Sequence, residues 1–279
     1  MIAVSVTGLR KAYGEQEALR GIDFTIEAGE VFGLLGPNGA GKTTTVEILE
    51  GYRKRDAGTV EVLGVDPQRS GSAWRERVGV MLQSSSLYPN LTARESLHVF
   101  AGYYAKPRDV DEVIGIVGLA EKADSRVRTL SGGQQRRLDL GLALVGDPEL
   151  VFLDEPTTGF DPGARRTAWD TVLNLRALGK TILLTTHYLD EAEQLADRVA
   201  VLRDGVIVRE GSPADLTGGI VETEIRFKRG GEDIVERTKD PTRRLHELTA
   251  EAIGRGEELD ELEVRRPSLE DVYLELTAE

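Results

Sequence analysis

Residues Val31 to Thr45 read V-F-G-L-L-G-P-N-G-A-G-K-T-T-T, an apolar strand that breaks into a glycine-rich loop. The loop fits G-x-x-x-x-G-K-[ST], with Gly36, Gly41, Lys42 and Thr43 at the defining positions. Gly36, Gly39 and Gly41 let backbone N–H groups converge on phosphate oxygens, and the helix that follows points its positive end at the same anion. Lys42 adds a mobile point charge for the β- and γ-phosphates, and the Thr43 hydroxyl can ligate Mg²⁺. Pro37, Asn38, Ala40 and Thr44 complete the cradle. An ordinary glycine turn capped by a threonine has similar letters. Here the loop lies between an apolar strand and a helix-like run from Lys42 to Glu50, and that context points to a nucleoside triphosphate.

Composition narrows the surroundings of this loop. A chain of 279 residues suffices for one large and one small domain. The net charge of −13 argues against broad binding to nucleic acid or anionic membrane, which needs basic patches. Cysteine is absent, which excludes disulfide scaffolds, thiolate zinc sites and thiol nucleophiles. No apolar run reaches the roughly 18 residues of a membrane span, and Met1 to Val4 enters a strand-like segment rather than a signal peptide. Any service to a membrane is therefore expected from the cytoplasmic face, through a partner chain.

Residues 2 to 35 alternate apolar and polar positions with turn signals at Gly14 and Gly29, the pattern of an antiparallel subsheet. Tyr13, expected on the first loop, is either an adenine-stacking aromatic or a half-buried loop tyrosine. Strands are predicted over Gly58 to Gly64 and Val78 to Leu82. Helical spacing of Leu97, Phe100, Ala101 and Tyr104 then marks an inserted helical subdomain, about residues 84–147. Within it, Leu130-Ser131-Gly132-Gly133-Gln134 opens a helix with Ser131 as N-cap, which is a second candidate anion cradle or a plain capped turn. Leu150 to Leu153 is a continuous apolar run, as a parallel strand buried on both faces requires, and it ends in Asp154-Glu155. Thr181 to Leu184 is followed by Thr185, Thr186 and His187, and the strand ending at Leu82 presents Gln83. Ligands of open α/β sheets bind at the carboxyl ends of strands, so these groups are expected in one crevice with the phosphate loop.

Asp204-Gly205 between Val199 to Leu202 and Val206 to Arg209 is a hairpin signal. Gly218-Gly219 marks a boundary, giving domains 1–217 and 218–279. The second reads strand, turn, strand, helix, strand, helix, a small α+β unit with accessory, regulatory or dimerisation roles open to it. Its last helix carries Leu269, Val272, Tyr273 and Leu276 on one face and is expected to pack on the small sheet.

Together these motifs resemble the ATP-binding subunits of ABC transporters over residues 2 to 217. By that resemblance Gly36 to Thr43 is Walker A, Leu150 to Asp154 is Walker B, Tyr13 the adenine-stacking A-loop, Gln83 the Q-loop, Leu130 to Gln134 the signature, Asp161 the D-loop and His187 the switch histidine. Phe160 stands where that D-loop commonly has leucine, a conservative change. The segments from Arg136 to Leu140 and from Pro267 to Leu274 are similar to the daunorubicin-resistance type of exporter ATPase, whose separate permease belongs to the ABC-2 class. The resemblance implies a P-loop NTPase core with an antiparallel β subdomain and an inserted helical subdomain. It further implies ATP with Mg²⁺, Thr43, Gln83 and Asp154 at the metal, Lys42 on the phosphates, Glu155 as general base and His187 sensing the γ-phosphate. It also implies a head-to-tail homodimer with ATP at the interface, because each chain carries one set of motifs.

The rival readings are a soluble ABC ATPase acting on ribosomes or DNA, an importer subunit, and a G protein. The first normally carries two ATPase units or long coiled coils, and neither is present. The last lacks its N-K-x-D element, since Asn38, Asn90 and Asn174 are not followed by lysine. His98 and His246 read as surface histidines, Trp74 and Trp169 as packing residues, and Arg136-Arg137 as a solvated helix face near the signature.

Overall fold

In the computed structural model the residues described are 1–81, 87–218, 223–265 and 268–277. The chain divides into two compact units, Met1–Glu210 and Gly211–Glu279.

The first unit opens with β1 (Ile2–Tyr13) and β2 (Gln16–Glu27), an antiparallel pair joined through Gly14, whose φ of 62° fits a tight turn. Tyr13 is the last residue of β1, paired with Gln16, and not a loop residue as its neighbouring glycine suggested. Next comes β3 (Val31–Leu35), buried at every position, then α1 (Lys42–Leu49) and β4 (Ala57–Val62), which joins the antiparallel sheet in the order β2-β1-β4. After the short α2 (Ser72–Arg75) comes β5 (Val78–Met81). The helical subdomain follows with α3 (Ala93–Ala101), α4 (Val110–Ile116) and α5 (Gly132–Leu144). A capping box between Thr92 and Glu95 starts α3, and Lys106-Pro107 falls in the break before α4. The core is completed by β6 (Leu150–Asp154), α6 (Pro162–Ala177), β7 (Thr181–Thr186), α7 (Leu189–Leu195), β8 (Arg198–Arg203) and β9 (Val206–Gly211).

The six-stranded sheet runs β5-β6-β7-β3-β8-β9, and the pairs from β5 through β8 are parallel. Side chains alternate along each buried strand, so one run of apolar letters feeds two cores. Phe32, Leu34, Phe152 and Leu183 join Val4, Val6, Ile48 and Leu49 beneath the antiparallel sheet. Val31, Val151, Leu153, Ile182 and Leu184 instead meet Leu97, Val113 and Leu138 of the helices on the other side. Each such fully buried side chain contributes roughly 1.5–3 kcal/mol. The rings of Phe24 and Phe32 stack at 5.4 Å, tying the antiparallel sheet to the strand that carries the phosphate loop. Trp74 is buried with its indole N–H on the Val62 carbonyl, a packing role.

The second unit holds α8 (Pro213–Gly218), β10 (Thr223–Arg229), β11 (Glu232–Thr238), α9 (Pro241–Arg255), β12 (Asp260–Arg265) and α10 (Leu269–Thr277). Its antiparallel sheet is ordered β11-β10-β12, with Gly230 and Gly231 at positive φ turning the hairpin. Leu248 of α9 packs on Ile225 and Phe227 to make the small core. The final helix is expected on this sheet; α10 packs against α8 and meets β12 through Asp271, which accepts from Arg265 at 2.9 Å, while α9 covers the face with Ile225 and Phe227.

Candidate active site

The phosphate loop follows the buried end of β3. Lys42 is 7% exposed, and its ammonium donates to the carbonyls of Gly36 at 2.6 Å and Pro37 at 3.2 Å. Burial pushes its pKa below the ordinary lysine value, while the nearby Glu155 and Asp154 act in the opposite direction. The glycines answer to the loop's own geometry. Gly41 has φ 111°, and a Cβ there would lie 2.7 Å from the Ala18 carbonyl; a Cβ on Gly36 would meet the Leu202 carbonyl at 2.3 Å. Ala40 is buried, its carbonyl accepting from the Gly205 N–H at 3.2 Å, while Pro37, Asn38, Gly39 and Thr43 are exposed on the open side.

Tyr13, Asn38, Gly39, Gly41, Lys42, Thr43, Thr44, Asp154 and Glu155 line one cleft of about 300 Å³. The Tyr13 hydroxyl lies 3.3 Å from the Thr44 hydroxyl, and its ring carries the Arg53 guanidinium at 5.2 Å from the centroid. The Asp154 carboxylate accepts from the Thr185 hydroxyl across β6 and β7. Glu155 adopts φ 47°, its N–H on both the carbonyl and the hydroxyl of Thr185 at 3.1 Å. Its carboxylate accepts from Thr158 Oγ1 at 3.1 Å and lies 3.3 Å from His187 Nδ1. Two carboxylates and a histidine thus stand at the carboxyl ends of β6 and β7, beside the loop that ends β3. Gln83 lies outside the described residues.

The second cradle faces a different cleft. Ser131, Gly132, Gly133, Gln134 and Asp161 line it together with Gly159, Phe160 and Ala164, and it shares no residue with the first cleft. Ser131 and Gln134 close a reciprocal capping box, with Ser131 Oγ accepting from the Gln134 N–H at 3.3 Å and the Ser131 N–H donating to Gln134 Oε1 at 2.9 Å. Asp161 caps α6, accepting from the N–H groups of Gly163 and Ala164 at 2.9 Å. Ser131 and Gly132 are exposed, so the mouth of this helix is open to a visitor.

Arg136 departs from the sequence reading. It is not a solvated arginine but half-buried, reaching from α5 to the backbone at the end of β6. Nothing in R-R-L-D distinguishes an inward arginine from an outward one. Glu191, fully buried and accepting from Trp169 Nε1 at 3.1 Å, also escaped the sequence reading; burial raises its pKa. Glu50, at the C-cap of α1, has a pKa pushed up to about 8 by burial and by the carboxylates of Asp154 and Glu47. His98 and His246 are exposed on the surface.

The parallel sheet and the loop at its centre define a P-loop domain that binds a nucleoside triphosphate. Residues 19–158 match the family model described as ABC transporter. A Nod factor export ATP-binding protein I from a Rhizobium species is 40% identical over 99% of this chain and 97% of its own length. The Daunorubicin resistance ATP-binding protein DrrA3 of Streptomyces coeruleorubidus is 39% identical over 99% of this chain and 96% of its own. Among solved structures, a dimeric post-hydrolysis state of an ATP-binding cassette bound to ADP and Pi aligns with TM-score 0.68 at 26% identity, over 75% of this chain and 98% of that one. An ATP-binding subunit of an ABC transporter shares the fold over 99% of both chains, with TM-score 0.73 at 24% identity. The chain belongs to the ABC transporter family, as an ATP-binding and ATP-hydrolysing subunit.

Proposed function

We propose that this protein powers export through a separate ABC-2 type permease, working as a homodimer on the cytoplasmic face of the membrane. The observation that carries the dimer is the pair of non-overlapping clefts: the phosphate loop with Asp154 and Glu155 lines one, the Ser131 cradle with Asp161 the other. A head-to-tail pair sets the second cleft of one copy over the first cleft of its partner, enclosing ATP between them. The related cassette solved as a dimer with ADP and Pi supports this reading. Export is supported by the two relatives named for export and for daunorubicin resistance, whose likeness spans 99% of this chain, the C-terminal unit included. Among the described residues no helix is long and apolar enough to cross a membrane, in keeping with a permease on another chain. Tyr88, Val99 and Tyr103 are exposed on the helical subdomain, where apolar contact with a permease fits. Cargo, whether drug-like, lipid or other, is chosen by the permease. The C-terminal unit serves as an accessory, regulatory or dimerisation module.

In the reaction, Tyr13 stacks on the adenine and the loop from Gly36 to Thr44 cradles the phosphates. On nucleotide arrival the Lys42 ammonium exchanges loop carbonyls for phosphate oxygens. Thr43 and Asp154 line the same cleft and offer the few hard oxygens that Mg²⁺ takes when phosphate and water supply the rest, so the donor set fits that ion; Gln83 is assigned as a further ligand. Held there, Mg²⁺ would neutralise charge on the phosphate oxygens. Glu155 accepts a proton from the attacking water, a role worth roughly 10²- to 10⁴-fold in rate. His187, beside Glu155, reports the γ-phosphate. ATP favours the closed dimer and its products the open one, and that difference in affinity drives the permease.

Glu155→Gln tests this reading. The variant should bind ATP, accumulate as an ATP-dependent dimer in size-exclusion chromatography and lose steady-state phosphate release; undiminished turnover would sink the base assignment. For export, the detergent-solubilised protein should copurify with a membrane-spanning chain encoded beside it. Copurification with ribosomes instead would overturn the exporter reading.

A further inference from the structure

Glu155 holds a left-handed backbone, φ 47°, that a residue with a side chain seldom adopts. Something must fix it on both sides. Its N–H is fixed by Thr185. Its carbonyl accepts from Arg136 Nη2 at 3.1 Å, and the same nitrogen donates to the Asp154 carbonyl at 2.8 Å. Arg136 lies in the first turns of α5, the helix that Ser131 caps, and the Gln135 N–H to Ser131 carbonyl bond of 2.9 Å makes that turn continuous with the cap. A displacement of the Ser131 to Gly133 mouth therefore carries the guanidinium with it. Burying a guanidinium disfavours its charged form, and Asp139, Asp154 and Glu155 offset that cost.

We propose that Arg136 is a positioning residue for Glu155: through two backbone carbonyls it lets the signature helix of a protomer set the placement of that protomer's own hydrolytic carboxylate. The proposal rests on Glu155 as general base and on the head-to-tail dimer. In that dimer the Ser131 mouth touches the nucleotide held by the partner. Occupancy of one site is thus relayed by a single rigid turn to the base of the other.

The test compares Arg136→Met, Arg136→Lys and Glu155→Gln in the full-length protein, with steady-state hydrolysis and binding of a fluorescent ATP analogue. Arg136→Met keeps the aliphatic stem and removes the donors. It should lower kcat roughly ten- to a hundred-fold, the scale of a lost hydrogen bond from a charged group, with KM and analogue affinity within about two-fold. Arg136→Lys should recover part of kcat, because an ammonium can still reach one carbonyl. The double variant Arg136→Met with Glu155→Gln should still form the ATP-dependent dimer, since the glycines of the mouth are untouched. Unchanged kcat in Arg136→Met overturns the proposal. So does a loss that is equal in the Met and Lys variants and accompanied by weakened nucleotide binding, which assigns the arginine to folding alone. Glu155→Gln separates the two levels. If it retains turnover, the general-base reading fails and the proposal with it; if it is inactive while Arg136→Met is normal, only the proposal fails.

Discussion

The two glycine cradles look alike in sequence, yet their glycines answer to different demands. In the loop from Gly36 to Lys42 the demand comes from inside: Gly41 needs φ 111°, and a Cβ on it would strike Ala18 and Leu19 of the same chain at 2.7 Å. In the mouth from Ser131 to Gly133 no described residue asks for glycine. Among the described residues a Cβ on Gly132 would meet no atom within 4 Å, and one on Gly133 would make an ordinary contact of 3.7 Å with Ala164. Glycine loses more conformational freedom on folding than any other residue, and the described residues supply no steric reason for it here. In the proposed head-to-tail dimer, what gains is the partner's nucleotide, which would reach the bare N–H groups of this mouth.

Alanine at the two sites breaks or sharpens that contrast, with the largest effects expected here. Gly41→Ala should destabilise the fold by about 1–3 kcal/mol, from backbone strain and overlap, and should abolish nucleotide binding. Gly133→Ala should leave stability unchanged or raise it by about 0.5–1 kcal/mol, keep ATP binding by the monomer, and lower hydrolysis at least ten-fold. Urea denaturation, analogue binding and phosphate release measure the three quantities. Gly133→Ala with full activity would show that the second mouth meets no phosphate.

How much of this was legible follows from which residues speak for themselves. A strand buried on both faces must be apolar throughout, so Val31 to Leu35, Leu150 to Leu153 and Thr181 to Leu184 announced the central sheet and, with it, the crevice that holds Asp154, Glu155 and His187. Turn glycines announced the hairpins at Asp204-Gly205 and Gly230-Gly231, since only positive φ closes them. Gly14 after Tyr13 points to a loop at that tyrosine, yet backbone pairing with Gln16 runs to the turn itself. The inward course of Arg136, the left-handed Glu155 and the attachment of α10 to α8 depend on what lies opposite in space, which no local pattern records.

The helices behind the two cradles also differ in what they bring to the end of β6. The signature helix brings the Arg136 guanidinium, whereas α1 ends on the Glu50 carboxyl, an acid near an acid. Burial first, then Asp154 and Glu47, pushes Glu50 from its ordinary 4.5 up to about 8. Between those two values the folded chain holds a proton that the unfolded chain has released. The folded state is thus favoured below about 4.5, and that contribution is lost as pH rises towards about 8. At about 1.4 kcal/mol per pH unit of displacement it amounts to a few kcal/mol. Glu50→Gln should therefore flatten the dependence of the urea midpoint on pH over this range and stabilise the protein at its alkaline end. An unchanged slope would mean that Glu50 ionises freely and that the acid pair is solvated.

The smallest effect separates the two duties of Ser131. As N-cap its oxygen accepts from the Gln134 N–H, which leaves the hydroxyl proton for an external acceptor. Asp is as good a cap as Ser but has no proton to give and repels phosphate. Ser131→Ala should cost about 1 kcal/mol of stability, the usual worth of a cap, and weaken ATP-driven dimerisation. Ser131→Asp should keep stability within about 0.5 kcal/mol and yet abolish dimerisation, measured by size-exclusion chromatography in the Glu155→Gln background. Were Ser131→Asp to dimerise as well as the parent, the serine would be a cap and nothing more, and the glycines beside it would have to meet the partner's nucleotide through backbone N–H groups alone.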